Sequence, residues 1–330
     1  MKKNFLKILV CPKCKSDLSL AVQKADKEEI VSGTLTCAKC RNTYPIVNSI
    51  PRMLLDDFFN DKRQKKTQES FGYQWVQFSK MVVDFKDNFL NYIYPINEKF
   101  FQRKLGLDAG CGFGRHIFNA ASFGAEMVGL DISLAIESSY ENTKHLQNVH
   151  LVQGDIYHPP FREETFDFAY SIGVLHHLPD PENGFKSVVS LIKKDGVVFI
   201  WVYSKVRKFT NFLLDLVRIV TCHLPHKLLK YVCLFIALVE FCLVIYPYKI
   251  ISGVFVINKI MEKIYSRRIK LYAKYPFQVC YADWFDRLSA PIRFYYCAED
   301  MQRWLNGLKL KNLSISPTGL YGWRAYGEKK

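Results

Sequence analysis

The sequence of 330 residues has no internal repeat and no low-complexity tract, which argues against a solenoid or a fibrous chain. Its 17 glycines and 13 prolines are too few for a collagen-like chain, and 49% hydrophobic with 23% charged residues is typical of a folded protein. The apolar stretch at the N-terminus is short and interrupted by Lys7, so it lacks the unbroken core of a secretory signal. We therefore expect a cytoplasmic protein with one large core or two modest domains.

Acidic residues are the scarcer charge, with 31 against 46 basic ones, and the net charge of +15 is unevenly distributed. The net charge is +7 for residues 1–66, −4 for 67–205, +9 for 206–275 and +3 for 276–330. Because the central block is mildly acidic, a surface that binds nucleic acid along the whole chain is not indicated.

Four of the ten cysteines form two matched pairs, Cys11-x-x-Cys14 and Cys37-x-x-Cys40, separated by 22 residues. This spacing is typical of a zinc ribbon, and four thiolates leave Zn²⁺ no open position, so we expect a structural metal. The segments Ile8–Pro12 and Tyr44–Leu54 resemble the small zinc-ribbon family whose members activate methyltransferases. The other six cysteines have no ligand spacing, and we expect them to be buried thiols.

Residues 104–204 alternate short apolar runs with helical patterns, as in βαβ units with a parallel sheet. The predicted strands are Leu105–Ala109, Met127–Leu130, Val149–Val152, Phe166–Ser171 and Val197–Val202. The predicted helices between them are Arg115–Phe123, Leu134–His145 and Pro181–Lys193. A helix near Ala298–Leu308 and two strands, Asn312–Ser316 and Trp323–Gly327, are predicted after residue 276. The charged stretch 56–70 is predicted to be a linker or a solvated helix.

A glycine-rich turn, Gly110-x-Gly112-x-Gly114, follows the first of these strands and precedes a helix. Glycines let the backbone approach a ligand closely, and a helix start offers free N–H groups, so a nucleotide-like cofactor is implied. Position 115 is Arg, so the dinucleotide fingerprint fails at its third glycine. Asp131 ends the next strand, where a carboxylate can accept hydrogen bonds from both ribose hydroxyls.

The motifs Asp-Ala-Gly-Cys-Gly-Phe-Gly (108–114), Gly-Leu-Asp (129–131), Gly-Asp-Ile (154–156) and Val-Leu-His-His-Leu-Pro-Asp-Pro (174–181) occur in order. Together they resemble class I S-adenosylmethionine-dependent methyltransferases of the type 11-like kind. The resemblance implies an α/β, Rossmann-like fold with a seven-stranded, mostly parallel sheet and helices on both faces. It also implies S-adenosylmethionine as cofactor. By this resemblance the methionine portion is contacted by Asp108, Gly110, Gly112 and Gly114, and the ribose is contacted by Asp131. The adenine amino group is contacted by Asp155 and the backbone of Ile156.

The methyl acceptor is less constrained, because methyl transfer from a sulfonium depends mainly on positioning. No Asn-Pro-Pro-Tyr run follows the fourth strand, which argues against methylation of exocyclic base amines. His176 and His177 lie at the ligand-binding side of the sheet, and either can serve as the general base for a hydroxyl acceptor or simply pack the loop; His176 is the preferred base. The aromatic segment Phe71–Phe78 can form a lid over the cofactor or part of the core.

Residues 206–275 are apolar yet strongly basic. Their longest apolar stretch, 231–246, has 16 residues and contains Glu240, which is short of the ~20 residues that a bilayer crossing needs. We expect helices that lie in a membrane interface and attract anionic lipid, or equally a helical cap on the core or on a second subunit of a homodimer. In the first case the protein is held at the inner face of the membrane.

The predicted organisation is a zinc ribbon (1–55), a linker with a helical lid (56–100), an S-adenosylmethionine-binding core (101–205), a helical insert (206–275) and C-terminal strands that complete the sheet (276–330). The predicted function is methyl transfer to a small or lipid-linked acceptor, such as a glycan, quinone-like or isoprenoid intermediate, at oxygen. One alternative is an RNA methyltransferase that contacts rRNA or tRNA through its ribbon, since +7 in residues 1–66 suits phosphate binding. A second is a non-catalytic module that binds the cofactor and recruits a partner.

Overall fold

The computed structural model describes residues 1–55, 61–252 and 267–330, and the chain divides into two compact units. The first comprises residues 1–79, 85–207 and 292–330, and the second comprises residues 80–84 and 208–291. The second unit thus continues past residue 275, where the sequence pattern predicts the end of the insert, to Pro291. Residues 56–60 of the predicted linker and 253–266 of the predicted insert lie outside the described residues.

The N-terminal part is a short 3₁₀ helix, Lys3–Ile8, followed by a four-stranded antiparallel sheet. Its strands, paired in chain order, are β1 (Leu18–Asp26), β2 (Glu29–Cys37), β3 (Thr43–Val47) and β4 (Ile50–Pro51). Exposed and buried side chains alternate along β3, as expected of a sheet with one wet face. Ile30, Leu35 and Ile46 therefore form the small core of the ribbon.

The rest of the first unit is built on a seven-stranded sheet. Its strands are β5 (Leu105–Ala109), β6 (Glu126–Asp131), β7 (Val149–Gln153), β8 (Phe166–Ile172), β9 (Ile192–Tyr203), β10 (Lys311–Pro317) and β11 (Gly322–Glu328). The spatial order is β10-β11-β9-β8-β5-β6-β7, and β11 runs antiparallel to both neighbours. This confirms the predicted fold class and the seven strand positions.

Helices precede this sheet and connect its parallel strands. They are α1 (Lys62–Gln77), α2 (Lys86–Ile93), a 3₁₀ turn (Glu98–Phe101), α3 (Arg115–Ser122), α4 (Ala135–Thr143), a second 3₁₀ turn (Leu175–His177) and α5 (Pro181–Ser190). α1 begins after Asp61, whose carboxylate accepts the N–H groups of Arg63 and Gln64. The described part of the charged stretch is therefore helical, because an N-cap satisfies the free amides of the first turn.

The ribbon docks on the edge of the large sheet. The N–H of Met53 donates to Gln153, the last residue of the edge strand β7, at 2.7 Å. On the other side, the N–H of Val10 donates to the carbonyl of Pro160 at 2.9 Å, and Leu9 and Phe161, each 1% exposed, face each other. One hydrophobic core continues from the ribbon into the sheet. The ribbon thereby covers an edge that would otherwise offer unpaired backbone groups.

The described helices of the second unit are α6 (Lys208–Thr221), α7 (His226–Glu240), a π turn (Phe241–Ile245), α8 (Tyr246–Ile251), α9 (Arg267–Tyr272) and α10 (Phe277–Ser289). α7, the π turn and α8 form one continuous helix of 26 residues, His226–Ile251. Among the described residues it is the one helix long and apolar enough to cross a membrane. α11 (Ala298–Gly307) returns the chain to the first unit.

Candidate functional site

The sheet has a topological switch point between β5 and β8. From β5 the chain proceeds to β6 and β7 on one side, and then to β8 and β9 on the other. Ligands of open α/β sheets bind in the crevice outside the carboxyl ends of such strands. The structure brings the predicted site residues together there: the glycine turn follows β5, Asp131 ends β6, Asp155 follows β7, and the two histidines follow β8.

The glycine turn follows β5 with left-handed backbone at Gly110, Gly112 and Gly114 (φ +93°, +54° and +93°). A Cβ on Gly110 would lie 2.4 Å from the Val174 side chain, and one on Gly114 would lie 2.8 Å from the hydroxyl of Ser139. These two glycines are thus required by packing as well as by conformation. A Cβ on Gly112 would meet nothing closer than 3.5 Å, so this glycine is required by conformation and not by crowding.

Asp131 ties the glycine turn to the end of β6. Its Oδ2 accepts the N–H of Gly112 at 2.8 Å, and its Oδ1 accepts the N–H and the hydroxyl of Ser133 at 2.8 and 2.7 Å. Three of the carboxylate's about four acceptor positions are therefore used, which leaves capacity for a ligand hydroxyl. Burial raises the pKa of Asp131, and the bonds from Ser133 and Gly112 oppose the increase.

Asp108, at the end of β5, is a buried carboxyl group with an unmet acceptor. Its Oδ2 and the nearby hydroxyl of Tyr170 are both buried, and neither forms a hydrogen bond of normal geometry. Burial raises the pKa of Asp108 to about 8; Tyr170 opposes the increase and Asp131 adds to it. A buried acceptor without a partner is rare in native proteins, and a cationic ligand beside it would both satisfy it and favour the carboxylate.

Asp155 orders the loop that follows β7. Its Oδ1 accepts the N–H of Tyr157 at 3.1 Å, and its Oδ2 lies 3.0 Å from Nδ1 of His158. Burial raises the pKa of Asp155, and His158 opposes the increase. The carbonyl of the next residue, Ile156, accepts the hydroxyl of Ser187 at 2.6 Å. The loop is thus held in place from both sides of the predicted adenine contact.

His176 and His177 lie in the 3₁₀ turn after β8, and both are buried. Nδ1 of His177 lies 2.7 Å from the carbonyl of Ile292, so that nitrogen carries the proton and donates. The ring of His176 lies 4.3 Å from that of His177 and 4.0 Å from that of Tyr203. His177 therefore anchors the segment at residue 292, whereas His176 faces an aromatic side chain of the neighbouring strand.

Two residues beside His176 were not predicted as site residues from the sequence. Tyr203 is the last residue of β9, and the guanidinium of Arg293 lies 4.4 Å from its ring centre. The rule that ligands bind at carboxyl ends of strands could have found Tyr203, since β9 neighbours β8. No sequence pattern indicates Arg293, because only the return of the chain to the first unit at residue 292 brings this residue to the sheet.

The aromatic segment Phe71–Phe78 forms the last part of α1 and its C-cap, and it lies beside the glycine turn. Trp75 stacks on Phe113 at 4.7 Å between ring centres, and its indole is the group nearest to a Cβ built on Gly112. The hydroxyl of Ser138 donates to the carbonyl of Trp75 at 2.9 Å, which fastens α1 to α4. An aromatic ring thus lies against the glycine turn.

The four predicted metal ligands converge. The sulfur atoms of Cys11, Cys14, Cys37 and Cys40 all lie within 4.8 Å of one another. The distances are 3.5 Å for Cys11 to Cys40 and 3.4 Å for Cys14 to Cys37, near the ~3.8 Å expected around a tetrahedral zinc with ~2.3 Å bonds. The hydroxyl of Tyr44 lies 3.2 Å from the Cys11 sulfur as an outer contact. The donor set fits structural Zn²⁺.

The expectation of buried thiols holds for four of the remaining cysteines: Cys111, Cys222, Cys233 and Cys280. It is wrong for Cys242, which is exposed, and Cys297 is half-buried. Cys242 lies on the long helix of the second unit, most of whose outward face is apolar and exposed. On this helix, large apolar side chains are exposed, whereas on a surface in contact with water most such side chains are buried.

Two protein families match parts of the first unit, the zinc ribbon and the large sheet. Residues 107–200 match the methyltransferase domain family, and residues 2–49 match the Trm112p-like protein family. The chain joins a Trm112p-like zinc ribbon to a methyltransferase domain. The methyltransferase match runs from β5 to β9 and includes each of the predicted cofactor residues, and this family implies S-adenosylmethionine as methyl donor.

Curated relatives are similar to this chain over about a third of its length. They include a ubiquinone biosynthesis O-methyltransferase of Haemophilus ducreyi (31% identity over 125 residues, 36% of this chain and 52% of the relative). A sterol 24-C-methyltransferase of Schizosaccharomyces pombe is 33% identical over 105 residues (30% and 28%), and a tRNA U34 carboxymethyltransferase of Psychromonas ingrahamii is 35% identical over 100 (29% and 29%). The chain thus spans about half or less of the length of these relatives.

Solved structures of methyltransferases are also similar. A SAM-dependent methyltransferase from Aquifex aeolicus aligns over 77% of this chain and 98% of its own, with a TM-score of 0.41 and 12% identity. The complex of the Haloferax volcanii Trm112 methyltransferase activator with a methyltransferase aligns over 41% of this chain and 60% of that one, with a TM-score of 0.34 and 17% identity.

Proposed function

We propose that this chain is an S-adenosylmethionine-dependent methyltransferase that methylates a small or lipid-linked acceptor, with oxygen as the acceptor atom. The observation that carries the proposal is the buried Asp108 carboxyl with no partner for Oδ2, placed beside the glycine turn at the switch point of a methyltransferase domain. The donor supplies a methyl group on a positively charged sulfur, which is open to in-line attack by a nucleophile.

The chain's residues have complementary parts in holding such a donor. Asp108 would accept a hydrogen bond from the donor's ammonium group, and Asp131 would use its remaining acceptor position for a ribose hydroxyl. Asp155 and the backbone of Ile156 would face the adenine, and Trp75 would exclude water from the glycine turn. Positioning of this kind can supply most of the rate enhancement in a displacement reaction.

The acceptor would approach over the ends of β8 and β9, where His176, Tyr203 and Arg293 cluster. His176 would take the proton of a hydroxyl acceptor as it is methylated. The names of the relatives favour an acceptor from quinone or sterol metabolism, because ubiquinone biosynthesis and sterol methyltransferases are among them. The guanidinium of Arg293 suits an acceptor that carries an anionic group.

The zinc ribbon would serve the methyltransferase domain of its own chain. It covers the edge of the sheet at β7, and its closed donor set leaves no coordination position for chemistry. The charge of +7 in residues 1–66 and the tRNA carboxymethyltransferase relative keep RNA as the alternative acceptor.

Calorimetric titration with S-adenosylmethionine tests the donor site. Asp131→Ala should weaken binding about 10- to 150-fold, as expected for losing a hydrogen bond to a charged group at ~1.5–3 kcal/mol. Glu141→Gln, on exposed α4 surface, is the matched control and should bind like the wild type. Absence of donor binding to the wild type would refute the enzyme function and favour the non-catalytic module.

The dependence of methyl transfer on salt concentration distinguishes an RNA acceptor from a lipid-like acceptor. Transfer of labelled methyl to tRNA that declines steeply between 50 and 200 mM salt would establish the RNA alternative, since phosphate contacts release counterions. Transfer to quinone-like or polyprenyl acceptors with little dependence on salt would support the proposal.

A further inference from the structure

The helix α6 has its apolar side outward. Its exposed residues recur with helical spacing, and Phe209 is 73% exposed: they are Phe209, Phe212, Leu213, Leu216, Val217, Ile219 and Val220. Helices of water-soluble proteins bury such a stripe and expose the polar one. Here the order is reversed, which indicates that the surroundings of this face are apolar.

Two polar side chains of α6, Arg218 and Thr221, face the interior of the second unit. Arg218 is buried, donates to Asp215 at 2.8 Å and also donates to the carbonyl of Ala290. The hydroxyl of Thr221 donates to the carbonyl of Leu288 at 3.0 Å. The buried guanidinium and the buried hydroxyl thus find backbone partners inside the unit, as polar groups must where no water is present.

The long helix His226–Ile251 repeats the arrangement. Its buried residues Leu229, Cys233 and Ala237 recur every four positions, and the helix packs against α10. Glu240, the carboxylate in the middle of the apolar stretch, accepts the indole N–H of Trp284 in α10 at 2.7 Å. The opposite side is exposed and apolar, with these large residues: Leu228, Tyr231, Phe235, Leu238, Val239, Leu243, Tyr246 and Ile250.

The chain path excludes a lone crossing of a bilayer. The second unit leaves the first after Arg207 and re-enters it at Ile292, and the flanking segments pair within one sheet-bearing unit at Ser204 and Tyr296. The number of crossings must therefore be even.

α6 has 14 residues, about 21 Å, and is too short for a ~30 Å hydrocarbon core. After Ile251 the sequence has charged residues from Lys259 onward, so it contains no second apolar stretch of the required ~20 residues.

The charges of the second unit favour an anionic surface. Residues 206–275 carry +9, and exposed lysines lie at the ends of the apolar faces: Lys208, Lys227 and Lys249. Cations at the edge of an apolar face are typical of helices that lie in a bilayer interface with acidic headgroups.

We propose that the outward faces of α6 and of the helix His226–Ile251, here called the apolar face, enter one leaflet of an anionic lipid bilayer. The second unit is then a monotopic membrane anchor that keeps the methyltransferase domain beside acceptors dissolved in that leaflet. The insertion of the apolar face goes beyond the proposed function and stands without it, whereas the delivery of lipid-dissolved acceptors rests on that function.

Vesicle flotation of the full chain tests the anchor. The protein, kept in mild detergent, is mixed with preformed phosphatidylcholine vesicles that contain 30% phosphatidylglycerol, and the detergent is then removed. We expect the protein to float with these vesicles and to bind at least tenfold less to pure phosphatidylcholine. Protein that stays at the bottom with both vesicle types, including a soluble dimer buried on its apolar face, would overturn the proposal.

Variants locate the contact. Phe212→Asp with Leu216→Asp should reduce flotation at least tenfold, whereas Leu320→Asp, at an exposed apolar position of the first unit, should float like the wild type. Phe212→Ser with Leu216→Ser is the milder pair if the charged one misfolds, as checked by circular dichroism. Undiminished flotation of a folded Phe212/Leu216 pair would overturn the assignment of this face.

Trypsin added outside the vesicles tests the single leaflet. In the proposed arrangement Lys270 and Lys274 stay on the side of the methyltransferase domain, where trypsin can cleave after them. If the helix crossed the bilayer, these residues would lie in the vesicle lumen and be protected until detergent is added. Donor binding measured on the same floated protein keeps failure of the anchor distinguishable from failure of the enzyme proposal.

Discussion

Phe161 lies where the zinc ribbon meets the methyltransferase domain, and its removal should weaken both. The side chain is 1% exposed, pairs with Leu9 of the ribbon and contacts the ring of Phe166 at 5.3 Å between centres. A fully buried Phe removes about 150–250 Å² from water, which at ~25 cal/mol per Å² corresponds to about 4–6 kcal/mol. Phe→Ala changes in cores cost about 3–5 kcal/mol, which is the expected loss for Phe161→Ala.

The assay uses two probes with different locations. The five tryptophans, 75, 201, 284, 304 and 323, lie outside the ribbon, so their fluorescence follows the rest of the chain, whereas zinc release to a chromogenic chelator follows the ribbon. In urea, both transitions should coincide in the wild type and move together to lower urea in Phe161→Ala. Val47→Ala, at a 44% exposed ribbon position, is the control and should change the free energy of unfolding by less than about 0.5 kcal/mol. A fluorescence transition that shifts while zinc release stays in place would refute the shared core.

Three further predictions concern the site. Because burial raises the folded-state pKa of Asp108 to about 8 from its ordinary 3.8, the native state holds a proton that the unfolded chain releases between these values. The free energy of unfolding of the ligand-free protein should therefore decrease from pH 5 to pH 8, and it should decrease less in Asp108→Asn. Denaturant melts that give both proteins the same dependence of this free energy on pH would contradict the raised pKa. His176→Gln should lower kcat about 10²–10⁴-fold with little change in donor affinity if this residue is the base, and a kcat that keeps its value would exclude that role. Trp75→Ala should weaken donor binding in calorimetry while Val76→Ala, an exposed neighbour on α1, should not; equal affinities would show that the indole does not cover the donor.

The seven strands of the large sheet and the four zinc ligands could be predicted from the sequence, because both depend on local signals. Buried parallel strands require short apolar runs, the turn after β5 requires glycines at positive φ, and a tetrahedral thiolate site requires paired cysteines at fixed spacing. Each of these requirements acts over a few residues, so the sequence records it directly.

Tertiary structure alone decided which surfaces meet. The sequence shows that α6 is amphipathic, but only the fold shows that Arg218 faces inward and Phe212 outward. Likewise, Arg293 reaches Tyr203, and Leu9 reaches Phe161, across more than 80 residues of chain. Such contacts depend on the path of the whole chain, and no local periodicity encodes which of two faces another element will cover.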